Sequence, residues 1–319
     1  MKKKFLISID TEGDNLWSWT IGQPITTQNT KYLSRFQKLC DEYDFKPTYL
    51  TNYEMAMDEE FVEFAKEVMD RGGCEVGMHL HAWNSPPEIE LPIRKDGIPG
   101  APYLIEYPTE VMEKKIKFMT ELLENKFGKR PITHRAGRWA MDERYFELLD
   151  KYGYVVDCSV TPGINWNKAN GQTEYSKGSD YTEFATRPYV VNNTNIVEVP
   201  MTIRENHLRH KNQGEGIRKA VRNYYRAIKG QGKIWLRPNG NNLKEMLYLV
   251  NKISSNKKDD YIMFMLHSSE LMPGGSPRFE TEDKIEKVYA DLKELFEVIS
   301  RDYEGDTIGN YSLSLKRGI

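Results

Sequence analysis

The chain has 319 residues, 39% of them hydrophobic and 29% charged, enough for a full core in one large α/β domain or two ordinary ones. A formal net charge of −2 excludes a global field for nucleic acid or an anionic membrane, so recognition must come from a local site. No run approaches the roughly 18 apolar residues of a membrane span.

The basic start Met1-Lys2-Lys3-Lys4 imitates a signal peptide, but its apolar run ends at Ile9, short of the roughly 7 to 15 residues that a signal core needs. It reads as a strand. The three cysteines, Cys40, Cys74 and Cys158, have no CxxC spacing and cannot all pair, so a soluble protein in a reducing cytoplasm is the expectation.

From Phe5–Ile9 onward, strand patterns alternate with helical ones. Thr27 to Tyr43 carries Leu33, Phe36, Leu39 and Cys40 at helical spacing, and Thr48–Thr51 is the second strand. Asp58 caps a helix with Phe61, Phe64, Ala65 and Val68 on one face and a Gly72-Gly73 stop. Glu75–His79 is the third strand, and Thr109 to Phe127 a helix striped by Val111, Ile116, Met119, Leu122 and Leu123. Ile132–His134, Tyr154–Val156, Lys233–Leu236 and Tyr261–Leu266 are the remaining strands; helices over 142–152, 242–254 and 281–301 follow the first, third and fourth of them. Seven such units predict one α/β domain over residues 1–319, a distorted TIM-like parallel (β/α)7 barrel; an open doubly wound sheet is the alternative. Two inserts, Ser85 to Pro108 and Pro162 to Thr186, exceed ordinary loops and either build a binding cleft on the carboxyl rim or are surface excursions.

Polar residues gather at the carboxyl ends of these strands, where barrel active sites are built. Asp10, Glu12, His79, His81, Arg135, Asp157, Arg237 and His267 all lie there. His79 and His81 are two apart in a strand, so both imidazoles share one face. With one of the carboxylates Asp10 and Glu12 they make the three-ligand set of a catalytic zinc-type site, the other carboxylate being free to act as a base. A pair of hydrogen-bonded strand histidines is the competing reading, and Asp14 is a further candidate ligand in the loop. His267 ends an apolar strand and can shuttle protons if a carboxylate orients it, with Asp157 the available partner.

Five strings appear in order: Ser8-Ile9-Asp10-Thr11-Glu12, Glu75-Val76-Gly77-Met78-His79, Arg135-Ala136-Gly137-Arg138-Trp139, Tyr154 to Val160, and Leu266-His267. In them the chain resembles the polysaccharide deacetylases of carbohydrate esterase family 4, over residues 5 to about 270. His81-Ala82-Trp83, Arg135 to Trp139, and Leu266 to Leu271 with Gly274-Gly275-Ser276-Pro277 are most similar to the branch associated with O-antigen and surface-polysaccharide biosynthesis. The resemblance implies Asp10 as general base, Glu12 and His79 as metal ligands, Arg135 holding the base, Asp157 tuning the acid, and His267 as that acid. Two departures stand out. Thr11 separates the two carboxylates, leaving open which binds the metal, and Trp83 occupies the position of the usual second histidine, so His81 must substitute.

The expected activity is metal-dependent hydrolysis of an N-acetyl or other N-acyl group on an amino sugar, with a divalent metal of the zinc type as cofactor. A metal-independent or differently specific amidohydrolase and an inactive carbohydrate-binding barrel are the alternatives. Trp83, Arg138, Trp139 and Arg237 are candidate saccharide contacts, and Trp17, Trp19 and Trp166 are either further ones or core. The stretch Arg204 to Lys229 could hold the diphosphate of a nucleotide- or lipid-linked sugar or be a solvated helix face.

Overall fold

Alternation along the first strand organises the molecule. In β1 (Lys3–Thr11), Phe5, Ile7 and Ile9 pack into the large core beneath the helices, while Leu6 belongs to a second, smaller core. Ser8 and Asp10 share the face of Leu6, because side chains alternate along a strand. The structure, a computed structural model, describes residues 2–19, 23–89, 102–167, 178–206 and 232–316.

Further strands follow in chain order: β2 (Pro47–Thr51), β3 (Glu75–Leu80), β4 (Thr133–Ala136), β5 (Val156–Asp157), β6 (Tyr189–Val190), β7 (Val197–Glu198), β8 (Ile203–Glu205), β9 (Lys233–Trp235), β10 (Tyr261–His267) and β11 (Tyr303–Asp306). The path β10-β1-β2-β3-β4-β5-β7 is parallel throughout. β6 pairs antiparallel with β7, and β11 runs parallel beside the start of β1. The sheet curls into a TIM-like barrel, and backbone bonds from Met201 to Val160, Leu236 to Thr202 and Met265 to Leu236 span the opening between β7 and β10.

One expected strand sits elsewhere. Lys233–Trp235 is antiparallel to β8 in a separate two-stranded sheet, and the place beside β5 belongs to β7. A two-residue strand is too short for periodicity to reveal. β5 also begins two residues later than the apolar run suggests.

The helices form where their apolar stripes predict. Thr30–Glu42 buries Leu33, Phe36, Leu39 and Cys40, and Glu59–Asp70 starts where Asp58 accepts the Phe61 N–H at 3.0 Å. Thr109–Phe127 buries Met112, Ile116, Met119 and Leu123 and ends on Gly128 at φ 71°, a left-handed cap that glycine adopts without strain. Glu143–Lys151, Leu243–Ser254 and Glu282–Asp302 complete the outer layer. No helix among the described residues is long and apolar enough to cross a membrane. Parts of both long inserts, and the cations Arg209, Lys211, Arg218, Lys219, Arg222 and Arg226, lie outside the described residues.

Candidate metal and acid–base site

Strand register carries four of the expected residues to one place. Asp10 on β1 lies beside His267 on β10, and His79 on β3 beside Arg135 on β4. Arg135 is fully buried; its Nη1 donates to Asp10 Oδ1 at 2.6 Å, its Nη2 to Ser8 Oγ at 2.9 Å and its Nε to the Cys158 carbonyl at 3.1 Å. Burial opposes a charge on Asp10, but Arg135, His79 and His267 outweigh it and hold the carboxyl below its ordinary value. Asp10 is therefore ionised at neutral pH.

Glu12, His79 and His81 form a second group, with one donor atom of each within 4.8 Å of the others. Glu12 Oε2 lies 2.9 Å from His81 Nε2 and 3.5 Å from His79 Nε2. Glu12, not Asp10, is thus the carboxylate that meets both imidazoles. Nδ1 of His79 donates to the Arg135 carbonyl at 2.9 Å, which leaves Nε2 as the nitrogen facing the group, the arrangement that orients histidine ligands in metal sites. Gly137 makes room for the other ring, since a Cβ there would lie 2.7 Å from His81 Nδ1 and 2.6 Å from the Leu80 carbonyl. Asp14 is buried but stands outside the group.

These residues fit a divalent cation. Burial disfavours charge on Glu12, yet hydrogen bonds from His79 and His81 hold its carboxyl well below the ordinary range. Burial pulls the His79 imidazole down, but Asp10 and Glu12 outweigh it and raise its pKa. Two buried carboxylates against the single buried arginine Arg135 leave a negative balance at the trio, and two nitrogens with one oxygen suit a zinc-type ion. Adding Zn²⁺ at about 100 times its Kd should therefore raise unfolding stability by about 2.7 kcal/mol. Thermal melts with and without Zn²⁺ check this, and His79→Ala and Glu12→Gln should each lose the increment.

His267 projects into the same space, its Nε2 3.8 Å from Asp10 Oδ2 and 3.6 Å from Glu12 Oε1. Its Nδ1 lies 2.9 Å from Arg237 Nη2 and 3.2 Å from Glu270 Oε2. A neutral ring accepts there from the arginine, and a charged ring donates there to the glutamate. With the ring charged, the second proton is on Nε2, the nitrogen nearest Asp10 and Glu12. Arg237 Nη2 also bonds Glu270 Oε1 at 2.9 Å, which closes the triangle. Glu270 was not among the expected residues; its signal is the spacing of three after a strand-end histidine, since Glu270 Oε2 also accepts the His267 N–H at 3.0 Å in a capping-box arrangement.

Asp157, expected to orient His267, does something else. Its register partner is His134, one residue from the inward-facing Arg135, so it lies on the opposite, helix-facing side of the sheet. Asp157 Oδ1 takes His134 Nδ1–H at 2.6 Å, Ser159 donates to the carboxylate from both N and Oγ, and Tyr145 bonds His134 Nε2 at 2.9 Å. Burial pushes the neighbouring Glu198 carboxyl well up, reinforced by the Asp157 charge, so Glu198 is the protonated member of that pair. Asp157→Ala should cost about 1–3 kcal/mol in urea unfolding by leaving the buried donors of His134 and Ser159 unpaired.

The site floors a cleft of about 480 Å³ whose lining includes every other expected contact: Trp83, Arg138, Trp139 and Arg237. Trp17 and Trp166 line it too, as do Leu16 and Tyr103, which the sequence did not single out. Trp17 sets its ring edge-on to His267 at 5.1 Å, and Trp19 stacks on Trp83 at 4.8 Å. Tyr103 and Trp166 belong to the two long inserts, which therefore help build the cleft. Arg138 and Trp139 both have positive φ, 57° and 62°, a backbone cost of order 1–3 kcal/mol each that is typical of functional rims.

No protein family and no curated protein sequence matches the chain. Among solved structures it is similar to a protein of Mycobacterium smegmatis described as a polysaccharide deacetylase (TM-score 0.56, 14% identity, 100% of this chain and 92% of that one). It is also similar to a GH57-type branching enzyme of Pyrococcus horikoshii (0.55, 12%, 99% and 71%). A 4-alpha-glucanotransferase of Thermococcus litoralis is a third (0.54, 13%, 98%), of which the chain spans only 40%. At these identities the likeness is one of fold.

Proposed function

We propose that the protein hydrolyses an N-acyl group, most simply N-acetyl, from an amino sugar in a surface polysaccharide or its precursor. One observation carries the reading: an arginine-held Asp10 and a His267 whose Nε2 faces it flank a trio of metal-ligand type in an aromatic-lined cleft. The ordered motifs of the deacetylases support it independently, and they alone suggest the surface-polysaccharide setting. Three buried free cysteines suit a reducing cytoplasm.

A divalent cation held by Glu12, His79 and His81 would supply a Lewis acid for the acyl carbonyl. Asp10 takes the proton of the attacking water as its oxygen bonds to the carbonyl carbon, while Arg135 keeps the carboxylate oriented. His267, charged, gives its Nε2 proton to the amine nitrogen as the C–N bond breaks and is left as the neutral ring, since an unprotonated amine is a very poor leaving group. Glu270 and Arg237 hold the ring so that this proton faces the cleft. Trp83, Trp139 and Trp17 offer flat faces to sugar rings, and Arg138 a charged edge.

Acetate release from N-acetylated oligosaccharides tests the reading. Asp10→Asn and His267→Ala should each lower kcat at least about a hundredfold. Saccharide binding with no acetate release by the metal-loaded wild type would make the protein an inactive carbohydrate-binding barrel. Activity unchanged by chelation and by His79→Ala would make it a metal-independent amidohydrolase.

A further inference from the structure

Beside the main cleft lies a second cavity of about 270 Å³, joined to it through Trp166 and Arg237, which line both. Among the described residues three cations line it, Lys233, Arg237 and Arg278, together with Trp235, Asn239 and Asn242, and Glu245 is the one carboxylate. Glu245 accepts a bond from Asn206 at 3.2 Å.

The cations are short of partners. Among the described residues Glu270 alone serves both arginines, at 2.9 Å to Arg237 Nη2 and at 3.6 Å to Arg278 Nη1, the second distance too long for a hydrogen bond. Among the same residues the Arg237 side chain bonds only through Nη2, and its buried Nε has no partner. Lys233 meets Glu205 at 3.0 Å, but Glu205 is largely solvent-exposed and screened. Burial and the facing Arg237 both disfavour the charge on Arg278, the mark of two guanidiniums sharing too little counter-charge. A buried orphan donor beside two guanidiniums that share one carboxylate is an arrangement that an oxyanion completes, because each of its oxygens accepts several charge-assisted hydrogen bonds.

We propose that this side cavity is an anion subsite, and that the substrate is an amino sugar that also bears a carboxylate or phosphate. The inference rests on the deacetylase reading only for the saccharide body; the oxyanion preference follows from the cavity alone. Arg237 joins the two functions, since the arginine that would meet the anion also holds His267.

Calorimetric binding to the full chain tests this, with N-acetylglucosamine, N-acetylglucosamine 1-phosphate and N-acetylglucosaminuronic acid as probes and inorganic phosphate as a sugar-free control. The wild type should bind at least one anionic sugar about tenfold more tightly than the neutral one, and the preference should shrink as salt rises. Preference for the phosphate or for the uronate assigns the group; equal preference assigns the shared oxyanion chemistry. Arg278→Gln and, as a second variant, Lys233→Gln should each remove most of the preference and weaken inorganic phosphate, whereas Arg278→Lys should retain part of it. No preference in the wild type, or a full preference in both glutamine variants, would overturn the proposal. Acetate release without charge preference would fail the subsite alone, and phosphate binding lost in Arg278→Gln without acetate release would fail the deacetylase reading alone.

Discussion

The buried pair between Arg135 and Asp10 is the interaction on which the rest of the site depends. A fully buried guanidinium is costly unless its donors are satisfied, and here they reach Asp10, Ser8 and the Cys158 carbonyl. Those partners sit on β1 and just past β5, so one side chain ties three strands together across the barrel interior. Removing either member would leave a charge stranded, which makes the pair a constraint on fold and chemistry alike. It also keeps Asp10 ionised beside the trio of Glu12, His79 and His81.

How much was legible in the sequence follows from the same geometry. The two-residue period that announces a strand also decides which side chains share its inner face, so Asp10 with Glu12, and His79 with His81, could be read as convergent pairs. Arg135 and His267 followed because their strands are long enough to end clearly. Asp157 was misread because β5 has two residues and no alternation to show its face; the register with His134 alone turns it outward. β7, which takes the place expected for Lys233–Trp235, is equally short. Glu270 lies one turn beyond a strand end, where attention to the strands themselves does not reach. The paired positive-φ residues Arg138 and Trp139 are a backbone property that their side chains do not advertise.

The barrel by itself does not choose a reaction. Similar folds occur in a protein described as a polysaccharide deacetylase, in a 4-alpha-glucanotransferase and in a branching enzyme, so the chemistry must be argued from the groups on the rim. Here the rim is asymmetric. Indole rings from Trp17, Trp83, Trp139 and Trp166 line the main cleft, and beyond Arg237 the lining turns cationic. The two linings meet at Trp166 and Arg237, so the charged end lies on the side of His267. Trp83, which stands where a second metal-binding histidine would be expected, stacks on Trp19 instead; His81, two residues earlier and just past the end of β3, is the imidazole that meets Glu12 and His79.

The central claim is that the inner faces of β1 and β3 assemble one cation site beside an arginine-held base. Anomalous diffraction at the zinc edge from crystals of the zinc-loaded protein tests it most directly. The account predicts one peak within roughly 2.0–2.2 Å of Glu12 Oε2, His79 Nε2 and His81 Nε2, with Asp10 still on Arg135. A peak held by other residues, or none in this cleft at saturating zinc, would contradict it.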